Sequence, residues 1–437
     1  MGVERSKTFR SVLFAIIAVI FIAAAFFFVG FSSIIDFVHF LSVPLLITYL
    51  LVFQPGFIRK NFLLYLILLV GFTLLVAVYF IIFSKAVAGI RINWIELPIA
   101  VYFLFSVFTI LFLFDKVLNF LLSFLMRINR DKGIWSTKNV LKNILRTALM
   151  IFAVIPYLFA IFTTRWVKFY ETTEVRDMLN MKSEQVSFEA ADGTRLSGLV
   201  IPPPYGTSKC WVIIAPGRNL TKNFFLLHAR VMSDNGYSIL LLDLRGNGSS
   251  GGHKYSFGVN EADDIIAAAD YIYKSNPENT SHIFAFGMDE GATAVVGAAA
   301  KDKRFSGAVV AGASGYEVAL PGWLSDCLPG WLKNVILKET EYVINFDIGQ
   351  SVTGLDGLYK QISQISPRPV LVIDNLRNTS MDRLRANQLY SKAKEPKMIW
   401  LTPEQTNGYQ QTELAGEYFA QILDLFSLGR TRANSDS

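Results

Sequence analysis

From Ser11 to Phe31 the chain reads SVLFAIIAVIFIAAAFFFVGF, without one charged residue. A bilayer core of about 30 Å is crossed by about 20 mostly apolar helical residues. Backbone polar groups in lipid must bond within their own segment, so a run of this kind has few alternatives to a spanning helix. It is too long for the apolar part of a secretory signal, and more apolar runs follow at once, so it reads as a retained anchor. Four further segments qualify: 34–53, 61–83, 95–114 and 145–163. The second is the weakest span, because it contains Asp36, His39 and Pro44. Residues 117–126 (VLNFLLSFLM) are too short to span and read as an interfacial amphipathic helix. The span interiors hold almost no ionisable group, which argues against a transport path. His39 is the one candidate, and it reads as a satisfied histidine at interface level.

Charge divides the chain in the same way. Residues 1–168 carry sixteen Lys and Arg against five Asp and Glu, and the rest carries twenty-five against thirty. The net charge of +6 therefore belongs to the apolar half. Lipid head groups fit that placement better than nucleic acid does. Arg127, Arg130, Lys132, Lys138, Lys142 and Arg146 fall between the fourth and fifth runs. The positive-inside rule makes that stretch and the N-terminus cytoplasmic. Five spans then place the remainder outside the cytoplasm, and one span more or fewer reverses this. Cys210 and Cys327 cannot make a metal site alone. They read as two lone buried thiols, with pairing left open.

The expected organisation is a transmembrane helical domain over 1–168, a linker over 169–183 and a soluble α/β domain over 184–428, followed by a disordered tail over 429–437. From Glu184 onward short apolar strands alternate with helices. Strands are predicted at 184–190 and 194–201, joined by a turn at Asp192-Gly193, and then at 210–215, 237–242, 283–286, 307–311, 369–373 and 397–401. Helices are predicted at 221–234, 260–275, 290–301, 381–393 and 409–427. Continuous apolar strands between amphipathic helices mean a mostly parallel sheet covered on both faces. Sites in such sheets lie at the carboxyl ends of the strands. Residues 314–366 read as a cap-like insertion, with Trp323 and Trp331 among its aromatics.

Four motifs carry a resemblance. The run DLRGNGSSGG opens at Asp243, FAFGMDEGAT opens at Phe284, PRPVLVID opens at Pro367 and PKMIWL opens at Pro396. In this order and spacing the soluble half resembles the α/β-hydrolase superfamily, closest to dienelactone-hydrolase and prolyl-oligopeptidase-like enzymes, some of them membrane-anchored. The resemblance implies a nucleophile at the centre of G-x-S-x-G, on a strained turn between a strand and a helix. It also implies an acid after the penultimate strand and a histidine after the last one.

This chain departs from the pattern at all three positions. The elbow reads Gly287, Met288, Asp289, Glu290, Gly291, so the glycines remain and an aspartate replaces the serine. The acid position aligns with Asn378, and an amide cannot stabilise an imidazolium by charge. The histidine position aligns with Asn407, or with Thr406 if the register slips by one. The four histidines are His39, His228, His253 and His282, so none follows the last strand. Pro216, in the loop that normally supplies an oxyanion donor, has no N–H. Some members of the superfamily use an aspartate nucleophile, but they need a histidine to break the resulting ester. His253 is the weak candidate for that part. Otherwise Asp289 is a solvated or N-capping acid at a helix start.

No catalytic residue, cofactor or metal is therefore expected. The expectation is a multi-pass membrane protein whose hydrolase-like domain binds or scaffolds. The alternative is a membrane-anchored hydrolase of acyl-ester or lipid-like substrates with a rearranged site. The partners expected are the bilayer and, beyond it, other membrane proteins.

Overall fold

The computed structural model describes residues 38–39, 41–42, 46, 96–127, 136–165, 181–313, 315–316, 320, 322–352, 354–375, 380–402 and 415–433. The chain forms two compact units. One comprises Met1–Ala88, Ile92–Ile161 and Leu320–Gly349, and the other Gly89–Arg91, Phe162–Ala319 and Gln350–Ser437.

In the first unit, α1 (Glu96–Leu125) and α2 (Thr137–Thr164) are long and apolar enough to cross a membrane, and among the described residues they are the two such helices. The other three expected spans fall on residues that are, apart from a few positions near His39, outside the described ones. Two expectations need correction. Residues 117–126 are not a separate interfacial helix, because α1 runs unbroken through Asp115 and Lys116. No Gly or Pro interrupts it there, and Asp115 accepts from Arg146 Nε of α2 at 2.7 Å, so the charge is paired across helices. Three of the six cations assigned to the connecting stretch, Lys138, Lys142 and Arg146, lie on α2 itself.

His39 is buried within this unit and is satisfied, as expected. Its Nδ1 lies 2.5 Å from Ser106 Oγ of α1, and its Nε2 lies 2.5 Å from Tyr157 Oη of α2. Ser106 Oγ donates to the Phe103 carbonyl at 2.6 Å. That hydroxyl therefore accepts from Nδ1–H. The imidazole thus joins its own segment to both helices.

The second unit carries the sheet. Its strands are β1 (Glu184–Glu189), β2 (Arg195–Ile201), β3 (Cys210–Ala215), β4 (Ser238–Asp243), β5 (His282–Met288), β6 (Phe305–Ala311), β7 (Val370–Asn375) and β8 (Lys397–Thr402). They lie in the order β1-β2-β4-β3-β5-β6-β7-β8. Only β2 runs against its neighbours; every pairing from β4 to β8 is parallel. Alternate residues of each strand feed two cores. Trp211, Ile213 and Ala215 of β3 face one side, with α4 (Val259–Ser275), α5 (Glu290–Lys301), α8 (Leu355–Ile362) and α9 (Ser380–Lys392). Val212 and Ile214 face the other, with α3 (Leu226–Asp234) and α10 (Ala415–Ala433). Period-two alternation in a doubly covered sheet requires that both residue sets be apolar, which is why these strands read as unbroken apolar runs.

The stretch expected as an insertion is helical over most of its described residues: α6 (Gly322–Cys327), α7 (Gly330–Ile348) and α8. Of these, α8 buries Leu358 and Ile362 in the sheet's core. At the C-terminus, α10 continues to Ala433, past the 428 boundary. Gly429 lets the helix approach Phe284 and the Ser306 carbonyl closely, and Arg430 lies over the Tyr237 ring, 5.3 Å from its centroid. The cysteines are free, but they are not the buried pair expected: Cys210 is half-buried and Cys327 is exposed.

Candidate functional site

The sharp turn from β5 into α5 places Asp289 at the carboxyl edge of the sheet. Its φ is 52° and its ψ is −117°, a conformation that non-glycine residues rarely hold. The Asp289 N–H donates to the Ala311 carbonyl of β6 at 2.8 Å, and the Asp289 carbonyl accepts from the Ala292 and Thr293 amides. The strained turn is therefore fastened on both sides. It also requires its flanking glycines: a Cβ at Gly287 would strike the Gly291 carbonyl, and one at Gly291 would strike the carbonyls of Ala215 and Pro216.

Asp289 stands at the N-cap position of α5, but its side chain does not cap the helix. It makes no capping hydrogen bond and is half-buried. Its carboxyl sits between two backbones that lack side chains. A Cβ at Gly217 would lie 3.0 Å from Oδ2, and one at Gly312 would lie 3.1 Å from Oδ1. Burial, followed by the negative charges of Glu290 and Asp374, pushes its pKa up to about 7. Asp374, buried near the end of β7, was not picked out from the sequence, although it ends an apolar strand on the edge where sites lie.

Glu290 faces the loop after β3. Its Oε2 accepts the Arg218 backbone N–H at 3.1 Å. In this kind of elbow the oxyanion is held by the amide after the nucleophile and by an amide of that loop. Here Pro216 has no amide hydrogen, and the Arg218 amide is already bonded to a carboxylate. The Arg218 guanidinium stacks over Tyr255, 4.8 Å from the ring centroid, and Nη2 donates to the Thr163 carbonyl at 2.5 Å. Burial lowers its pKa, with Tyr255, Glu290 and Glu261 opposing the shift. The Tyr255 hydroxyl is buried and has no hydrogen-bond partner among the described residues. Burial, then Glu290 and Glu261, raises its pKa well above the ordinary phenol value.

Beneath this edge the loop after β4 is tied down by two buried carboxylates. Asp243 accepts from Lys222 Nζ at 2.5 Å, from the Lys222 amide at 2.7 Å and from the Ser249 amide at 3.0 Å. Asp264 receives the Arg245 side chain through Nε and Nη2, at 3.0 and 2.6 Å. Both are bracing contacts.

The histidines lie elsewhere. His253 is exposed on the loop after β4. His228 is packed among Phe225, Phe286, Tyr418 and Phe419, and burial lowers its pKa to about 3. His282 begins β5, at the end of that strand opposite Asp289. The charges that shift the Asp289 carboxyl are acidic ones, those of Glu290 and Asp374. Asn378, Thr406 and Asn407 lie outside the described residues.

The family model for serine aminopeptidases of the S33 type matches residues 206–343, which include the elbow. This chain carries an α/β-hydrolase domain. The domain is similar to the uncharacterized protein YfhR of Escherichia coli K12, 25% identical over 228 residues, covering 51% of this chain and 72% of that protein. YfhR of Salmonella typhimurium is 23% identical over 248 residues, covering 54% and 78%. Among solved structures, an esterase of Pyrococcus furiosus is 18% identical, with a TM-score of 0.47, covering 59% of this chain and 96% of its own. The α/β hydrolase GrgF of Penicillium sp. sh18 is 18% identical, with a TM-score of 0.41, covering 56% and 98%.

Proposed function

We propose that the chain is a multi-pass membrane protein of five spans, with a cytoplasmic N-terminus and an extracytoplasmic hydrolase domain that binds or scaffolds rather than hydrolyses. The observation that carries this reading is the Glu290–Arg218 bond. A carboxylate occupies one of the amides, that of Arg218, in the loop from which an acyl-transfer site would hold its oxyanion, beside an aspartate where a serine nucleophile would stand. The loss of one oxyanion donor alone costs about 10²–10³ in rate. The absence of a histidine after residue 282 supports the same conclusion. Membrane residence is supported by α1 and α2, and the orientation by the cations around the connection between them.

The second reading is a membrane-anchored hydrolase of acyl-ester or lipid-like substrates that uses Asp289. It is favoured by the strained backbone kept at Asp289, because strain of this kind clusters at working sites. Full-length protein in detergent, offered a panel of activated esters and haloalkanes, separates the two. The binding reading expects no turnover above buffer. Turnover that disappears in Asp289→Asn overturns it in favour of the second.

A further inference from the structure

Helices α1 and α2 run antiparallel, as two cross-helix contacts show: Asp115 with Arg146 at 2.7 Å, and Ser123 with Lys142 at 3.4 Å. Beyond the first of these, both helices are apolar. Residues 97–114 of α1 and 147–164 of α2 each rise about 27 Å at about 1.5 Å per residue, close to the thickness of a hydrocarbon core. On the other side of the pair, α2 carries Lys138 and Lys142. The spacing of four residues from Lys138 through Lys142 to Arg146 sets the three cations along one face. Arg146 thus marks the level at which charge gives way to hydrocarbon on α2, and Asp115 meets it there from α1, which is apolar on both sides of Asp115 and Lys116.

At this level opens a groove of about 310 Å³, lined by Asp115, Arg146 and Thr147 at its mouth and by Met150, Ile151, Val154 and Ile155 below. Arg146 engages Asp115 through Nε, and among the described residues its Nη edge meets no acceptor. Asp115 cancels one of the three cations, and Lys142 and Lys138, one and two turns further along α2 and outside the groove's lining, keep that end of the helix positive.

We propose that this groove holds an anionic phospholipid, its phosphate against the Arg146 Nη edge and Lys142, and one acyl chain along Met150, Ile151, Val154 and Ile155. The proposal rests on the membrane reading given above. A zwitterionic lipid would fill the apolar part equally well, so the positive end of α2 is what selects an anionic head.

Full-length protein is reconstituted in phosphatidylcholine mixed equally with phosphatidylglycerol, re-extracted in mild detergent and weighed by native mass spectrometry with its bound lipid. Phosphatidylglycerol is expected to be retained over phosphatidylcholine. Lys138→Gln and Lys142→Gln, which leave the Asp115–Arg146 pair intact, are each expected to weaken that preference about five-fold. Val154→Trp, which fills the groove, is expected to remove retention of both lipids, and it serves if a lysine variant does not fold. Equal retention of the two lipids, or a preference unchanged in every variant, overturns the site. Carbonate extraction separates the two levels of failure. Protein released to the supernatant overturns the membrane reading and the groove with it, whereas protein held in the pellet without phosphatidylglycerol preference overturns the groove alone.

Discussion

The Glu290 carboxylate accepts the backbone N–H of Arg218 at 3.1 Å, so the loop after β3 is bonded to the first residue of α5. A substrate oxyanion would have to displace a full negative charge to reach that amide. Restoring the serine alone should therefore leave the site inert. Asp289→Ser, like the parent, is expected to resist fluorophosphonate labelling and to show no esterase activity. Labelling of the introduced serine would mean that the Glu290 contact opens on substrate binding and that some group other than a downstream histidine activates the hydroxyl.

Asp289 should reveal itself through the pH dependence of stability. Its folded pKa is raised to about 7, above the ordinary carboxyl value of 3.8, chiefly by burial and then by Glu290 and Asp374. Between those values the folded state binds a proton that the unfolded state has released, so this group's contribution to stability falls as pH rises through the window. Above about 7 the full cost of the buried charge is present, and below about 4 it is absent. Asp289→Asn is therefore expected to melt above the parent at about pH 8, with the gap closing as pH falls toward about 4. A gap that is constant with pH, or of opposite sign, would show that the carboxyl is not held in a desolvated acidic pocket.

The elbow glycines should respond in the opposite sense. Any Cβ at Gly291 meets the Ala215 and Pro216 carbonyl oxygens, and one at Gly287 meets the Gly291 carbonyl. Gly291→Val and Gly287→Val are expected to lose on the order of 1–3 kcal/mol in denaturant titrations, because the neighbours are backbone and cannot rotate away. Near-neutral results at both positions would mean that the β5–α5 turn relaxes and is not the rigid feature inferred.

Asp243 offers a larger effect. It is fully buried and holds Lys222 and the loop after β4 through three contacts. Asp243→Ala leaves the Lys222 ammonium buried beside Ser197 Oγ without its counter-charge. Removing one partner of a buried pair costs about 3–5 kcal/mol. Lys222→Met with Asp243→Leu removes both charges and should recover much of that loss. A single variant as stable as the parent would show that water reaches the pair.

The sheet was legible because each buried strand needs two apolar faces, and all eight predicted strands lie where the structure has them. The elbow was legible because Gly287 and Gly291 are dictated by local backbone. The state of Asp289 was not, because Gly217, Gly312 and Asp374 reach it from the ends of three other strands. Nothing near residue 289 in the chain announces them. The continuity of α1 was missed for a similar reason. Asp115 and Lys116 interrupt the apolar run, and the Arg146 that pairs with Asp115 lies 31 residues further on.

Orientation can be tested with a thiol that the chain already has. If the cations Arg127, Lys138 and Lys142 stay in the cytoplasm, α2 leads outward, and everything after Thr164 lies on the far side. Cys327 follows α2 and has an exposed thiol, whereas Cys210 is half-buried in the sheet's first helix-flanked strand. Burial raises the Cys210 pKa, which further suppresses its reaction at neutral pH, since the thiolate is the nucleophile. A membrane-impermeant maleimide added to intact cells is therefore expected to label the protein, and Cys327→Ser should remove the label. If labelling appears only after permeabilisation, the domain is cytoplasmic and the number of spans before it is even. The Asp115–Arg146 boundary and its groove would stand in that case, because the two helices would be inverted together.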